Sequence, residues 1–240
     1  MNDINRMSLH TTHIPMLPTT DSHLAHFRGL ILEMTDLLIY QLEQSLHALN
    51  FCDGELALKV IARDRKIDGL QLRLDHDATN LMTSTTISEP DLRAIVTLIK
   101  IAIALEKVGN ELVESARLAL SIHKNRSAMP PQHLLTYVNK VGNGLKVMLD
   151  KLSIALENQD ARQAHNLLRH YAEAEHDIQT GLEQHVAWAS SNYTAITQAL
   201  LLSDMMKLLA SCRTHACAIA ALLILMFDGI DIRNPVAAHH

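Results

Sequence analysis

Apolar residues recur every three or four positions along most of this chain, and that spacing leaves it little to form except helices. Leu30, Ile31, Met34, Leu37, Leu38, Leu42, Leu46 and Leu49 mark one such stretch, beginning near His23 after Thr20-Asp21-Ser22 and stopping around Asn50 to Gly54. Positions three and four apart share one helical face, so each stretch reads as an amphipathic helix. A second opens at Glu55 with Leu56, Val60, Ile67, Leu70, Leu74, Ala78 and Leu81, and carries Asp64, Arg65, Asp68, Arg73 and Asp77 on its other face. Ser88-Glu89-Pro90-Asp91 starts a third, a hydroxyl cap followed by a proline in the first turn, where its missing N–H costs nothing. That helix runs through Leu92, Ile95, Ile99, Ile103, Val108 and Leu112 to about Leu120, apolar around most of its circumference, which predicts burial at the centre. Aromatic residues are 3% of the chain while apolar residues are 48%, so strand-forming side chains are scarce and a sizeable core is still available.

After Pro130-Pro131 the pattern starts again, with helices expected over about 132–157, 160–190 and 194–227. Leu49 to Asp53 with Ala57 aligns with Leu156 to Asp160 with Ala164, and Asp91-Leu92 with Leu105 aligns with Ala195-Ile196 and Leu209. The expected fold is therefore all-α: two tandem three-helix bundles made by internal duplication, at 21–125 and 131–230, behind a loose tail over 1–20. The third and sixth helices are expected to be central. Gly109 lies inside the third helix, where glycine costs about 1 kcal/mol relative to alanine, so a close helix approach is expected there. Its second-half counterpart is Arg213, which places that approach in the first half only.

Charge and composition exclude several functions. The formal net charge is −5, with Lys and Arg scattered, which argues against nucleic acid as a partner. Three cysteines without metal or disulfide spacing fit a reducing cytoplasm. The first twenty residues hold no continuous apolar stretch, so no signal peptide is read there. The most apolar run, Ala216 to Phe227, is about a dozen residues, short of the roughly twenty that span a bilayer, so no membrane insertion is expected.

The stretch from Ser88 through Asp91-Leu92-Arg93 and Ile99-Lys100-Ile101-Ala102 to Leu105-Glu106-Lys107-Val108-Gly109-Asn110 resembles the first half of the PhoU family. Asp53 to Asp68 resembles its second helix, and Thr214-His215-Ala216-Cys217-Ala218-Ile219-Ala220 a motif of its second half. With helix order and length, the resemblance covers about residues 20–230. It implies a cytoplasmic, non-enzymatic adaptor, self-associating as a homodimer, between a phosphate ABC transporter and a sensor histidine kinase, lowering the phosphate-starvation response when phosphate is plentiful. A metal-binding helical bundle, or a paralogue regulating another transporter, stays open beside it.

The resemblance also implies acidic pairs, four residues apart, that gather metal ions on neighbouring helices; such oxygen-rich faces suit hard or borderline cations. Here the candidate metal residues are Asp64, Asp68 and Glu106, with Asn110 and Glu114 as helpers, and at most one weakly held ion is expected, in the first half. The same acidic residues also read as a solvated helix face beside Arg65, Lys66 and Lys107. In the second half the corresponding positions fall on Ala210, Thr214, Tyr171 and Glu175, where no metal site is expected. His165, His170, His176 and His185 read as scattered on one helix, and Cys212, His215 and Cys217 as buried groups of an apolar one. Gly142-Asn143-Gly144 lacks the setting of a phosphate loop, and no nucleophile with its base appears.

Overall fold

The computed structural model describes residues 20–84, 86–124, 130–171, 175–193 and 196–232; the side chains of Ser84 and His170 lie outside that description. The tail read over 1–20 (all but Thr20), the His170 side chain, and the start of the last helix at 194–195 therefore fall outside it. Among the described residues there are eight helices and no strand: α1 (Thr20–Phe51), α2 (Gly54–Ala62), α3 (Asp64–Ser84), α4 (Glu89–Lys124), α5 (Gln132–Glu157), α6 (Arg162–Tyr171), α7 (Glu175–Ser191) and α8 (Ile196–Asp228).

The two halves turn matching corners. α1 ends with Cys52 in the left-handed region at φ 51, and α5 with Gln159 at φ 50, 107 positions later. At each corner the next residue closes the turn, Asp53 N–H to the Ala48 carbonyl and Asp160 N–H to the Ala155 carbonyl, both at 3.0 Å. This is a Schellman-type bond, which normally favours glycine at the left-handed position. Both aspartates then cap the start of the next helix: Asp53 Oδ1 accepts from the Leu56 N–H at 2.9 Å and Asp160 Oδ1 from the Arg162 N–H at 2.9 Å. At the start of α4, Ser88 Oγ accepts from the Asp91 N–H at 3.3 Å and donates to Asp91 Oδ2 at 2.7 Å, the hydroxyl cap read in the sequence.

The expected second helix is divided. α2 and α3 meet at Arg63, whose N–H bonds the Val60 carbonyl at 3.1 Å and whose guanidinium lies 4.3 Å from the centre of the Tyr40 ring. No glycine or proline marks this step, so periodicity alone reads straight through it. α1, α2 and α3 pack on α4, and α5, α6 and α7 on α8. α4 and α8 then pack along each other, and α1 along α5, so the buried side chains of both sets form one continuous core.

α8 corrects one expectation. An 18-residue window within it is apolar enough to cross a membrane, longer than the dozen residues read from the densest run. Just over half (56%) of that window is buried inside the protein; along α8, Leu202, Met205, Met206, Leu209, Cys212, Ala216 and Ile224 lie in the core and Leu200 is exposed. Gly109 does lie at a close approach, since a Cβ there would sit 3.2 Å from Ile67 Cδ1 of α3 and 3.4 Å from Leu38 Cδ2 of α1. Such approaches are not confined to the first half. A Cβ on Gly181 of α7 would lie 2.8 Å from Tyr137 Cβ of α5, and one on Gly142 of α5 would lie 2.7 Å from Leu46 Cδ1 of α1.

Candidate functional site

The carboxylates singled out in the first half sit where α3 crosses α4. Asp64 opens α3 and Asp68 follows one turn on, both half-buried; Glu106 faces them from α4. Burial is the main force raising the Asp64 carboxyl above its ordinary range. The charges of Asp68 and Glu106 add to that rise, and Arg117 opposes it, so all four groups share one electrostatic neighbourhood. Asn110 donates through Nδ2 to Glu106 Oε1 at 2.7 Å, and Glu114 is paired with Arg117. Among the described residues no three His, Cys, Asp or Glu side chains converge to hold a metal ion. As placed, the residues do not fit a multinuclear cluster: an amide N–H is turned toward Glu106, and a guanidinium engages Glu114.

The equivalent region of the second half has a different chemistry. Thr214 donates to the Ala210 carbonyl at 3.2 Å, and the Tyr171 hydroxyl lies 3.3 Å from Thr214 Oγ1. Glu175 is exposed. Arg213 is only 3% exposed, and burial lowers its pKa from the usual guanidinium value. Its sequence position marks it only as the partner of Gly109; a cation on an otherwise apolar helix is the available signal.

Between the halves, α4 and α8 form a polar seam. Glu111 Oε1 accepts from Ser211 Oγ at 2.5 Å and lies 3.5 Å from His215 Nε2. Next to it, Cys212 is fully buried and its thiol is pushed well up by that burial, while burial raises the Cys217 thiol to about 11. Neither thiol is activated as a nucleophile or ligand, since both roles need the thiolate. Beside the seam lies an open groove of about 410 Å³ lined by Glu111, Glu114, Asp204, Lys207 and Ser211. Glu111 escapes a sequence reading because a single acid among apolar neighbours looks like any exposed residue.

Among the described residues the histidines do not gather. His165 bonds Asp228 at 2.8 Å, and His176 is exposed. His185 is buried between the Leu134 carbonyl at 3.4 Å and Ser203 Oγ at 3.3 Å. Desolvation lowers its pKa, against the raising effect of the Leu134 carbonyl. It serves as a neutral core group that ties α7 to α5 and α8.

Residues 31–119 match the sequence model of the PhoU domain. The chain is 26% identical over 231 residues to the phosphate-specific transport system accessory protein PhoU homolog of Pseudomonas aeruginosa, covering 96% of this chain and 93% of that one. It is 25% identical over 231 residues to the Pseudomonas putida protein of the same name, covering 96% and 88%. Among solved structures it superposes on the crystal structure of PhoU from Pseudomonas aeruginosa with a TM-score of 0.83 at 24% identity, over 88% of this chain and all (100%) of that one. The phosphate transport system regulatory protein PhoU from Streptococcus pneumoniae gives 0.79 at 17% identity, over 89% and 99%.

Proposed function

We propose that the chain is a divergent member of the PhoU family and that it regulates phosphate uptake and the phosphate-starvation response. It acts as a cytoplasmic adaptor between a phosphate ABC transporter and a sensor histidine kinase, and holds the response down when phosphate is plentiful. The observation that carries this reading is the end-to-end similarity to accessory proteins of the phosphate-specific transport system, over 96% of the chain. We read 21–125 and 131–230 as its two repeats, and a homodimer as its working form. Helical surfaces carry the function, not a reaction centre: the Cys212 thiol is buried and protonated, and His165 and His185 are tied to structural partners.

Asp64, Asp68 and Glu106, with Asn110 and Glu114 beside them, hold at most one weakly bound divalent cation. Three carboxylates in one neighbourhood favour a cation, and their mutual repulsion contributes to the raised Asp64 carboxyl. Arg117 and the Asn110 amide compete for the same oxygens.

The test is genetic. In a bacterial strain lacking its own regulator of this family, expression of the chain lowers a phosphate-starvation reporter in phosphate-rich medium. An unchanged reporter, with the chain present and folded, overturns the proposal. A change in the uptake of another solute instead of phosphate identifies a paralogue serving a different transporter.

A further inference from the structure

The second half holds a buried cation that has no ion pair among the described residues and borders an open space. Arg213 is only 3% exposed, and its Nε has no hydrogen-bond partner. Its Nη2 reaches the Tyr171 carbonyl only at 3.4 Å, and its guanidinium carbon lies 5.6 Å from the centre of the Tyr171 ring. Among the described residues it forms no ion pair; Glu175 and Asp177 act on it from a distance, and Asp177 is already paired with Lys140 at 2.6 Å. Leaving a buried charge unpaired is among the costliest arrangements a fold can keep.

The space beside Arg213 is a cavity of about 200 Å³ between α5, α6 and α8, lined by Gly144, Lys151, Leu167, Tyr171 and Arg213 among others. A Cβ on Gly144 would stand 3.6 Å from Arg213 Nη1, so a longer side chain would occupy the space the guanidinium faces. In the first half the matching place on α4 is Gly109, and Leu38 and Ile67 fill it with hydrocarbon. Lys151, half-buried at the cavity wall, supplies a second positive charge. A guanidinium, an ammonium and a tyrosine ring around a recess of several water volumes, whose remaining lining side chains are Val147, Met148 and Leu167, form a donor set suited to a small tetrahedral oxyanion.

We propose that this cavity is an oxyanion site with Arg213 as its principal donor and Lys151 beside it, and that inorganic phosphate is the anion it takes. The anion site rests on the buried cation alone; phosphate as its ligand rests also on the regulatory reading above. The ligand would then be sensed on the half of the molecule where Ala210 and Thr214 stand in place of the α4 acidic pair, and α8 would carry its effect to α4.

Isothermal calorimetry on the full chain, with inorganic phosphate titrated at constant ionic strength in a chloride buffer, tests it. One saturable phosphate per chain is expected, weakened at least tenfold by Arg213→Met and severalfold by Lys151→Gln, with Lys100→Gln on exposed α4 surface unchanged. Circular dichroism verifies that each variant is folded; should Arg213→Met fail to fold, Lys151→Gln and Arg213→Lys carry the test. No saturable binding, or equal binding by the folded variants, overturns the site. Saturation by sulfate but not phosphate overturns phosphate as the ligand. The reporter experiment is read apart from this: phosphate binding with an unresponsive reporter refutes the regulatory role alone, and a responsive reporter without binding refutes the site alone.

Discussion

The two halves turn the same corners and then part in chemistry. Cys52 and Gln159 take the same left-handed conformation, and Asp53 and Asp160 make the same kind of backbone and side-chain bonds. Yet where α4 presents Gly109 to Leu38 and Ile67, α8 presents Arg213 to Tyr171 and Gly144. The first half is packed with hydrocarbon at this point and crowded with carboxylates nearby. At the corresponding positions the second keeps Glu175 alone of the carboxylates and holds a buried cation nearby. A duplicated fold preserves its corners because they set the chain path, while residues between corners are free to reverse their charge.

The comparison can be broken most forcefully at Gly109. Replacing it with leucine forces a side chain into a gap already 3.2 Å from Ile67, and overpacking of this kind costs about 2 kcal/mol. Urea unfolding should show that loss in the midpoint; an unchanged midpoint means the helices are not held close there. At Arg213 the opposite sign is expected. Arg213→Met removes a buried, poorly compensated charge and should leave stability equal or raise it by about 1 kcal/mol in phosphate-free buffer. A large loss would mean that the guanidinium is satisfied by contacts of its own.

His185 sharpens the comparison through pH. Its folded-state pKa is lowered by burial, so as pH falls through about 6.5 the unfolded chain takes up this proton first. The contribution of His185 is full above that value and is lost as pH falls toward the lowered folded value. His133 adds to the repulsion, and the Leu134 carbonyl opposes it. Thermal melts from pH 8 to pH 5.5 should show a steeper decline for the native chain than for His185→Gln; parallel curves would contradict the assignment. Asp64 gives the smallest effect. Its raised carboxyl means that the folded chain holds this proton more tightly, so ionisation costs stability above the raised value. Asp64→Asn should stabilise the chain at pH 7 by about a few tenths of a kcal/mol, a small figure because the group is only half-buried. Urea midpoints at pH 7 check it, and a clear loss of stability would contradict it.

Much of the fold is legible because apolar spacing is a direct image of burial. The α5 bounds, Gln132 to Glu157, follow from periodicity and from Pro131 before them, and the Ser88 cap follows from residue type. The break at Arg63 is not legible from periodicity, since Val60 and Ile67 keep helical spacing across it and no glycine or proline marks it. Gly181 and Gly142 carry contacts as tight as those of Gly109 but sit in less conspicuous surroundings. Of the candidate site, helix spacing places Asp64 and Asp68 on one face of α3, while the meeting with Glu106 of α4 follows from the family resemblance. The pairing of Asn110 with Glu106, the Glu111 seam and the cavity at Arg213 depend on which helices meet, and no single helix encodes that.

The contrast between the halves turns on one proposal, that only the first retains any capacity for a cation. Elemental analysis of the chain purified without a metal-affinity step, joined to manganese titration of the native chain and of Asp64→Asn, probes it at the source. At most one divalent ion per chain is expected, removed by gel filtration and weakened at least severalfold in Asp64→Asn. Two or more ions of iron or zinc that survive gel filtration, or metal density beside Thr214, would contradict it.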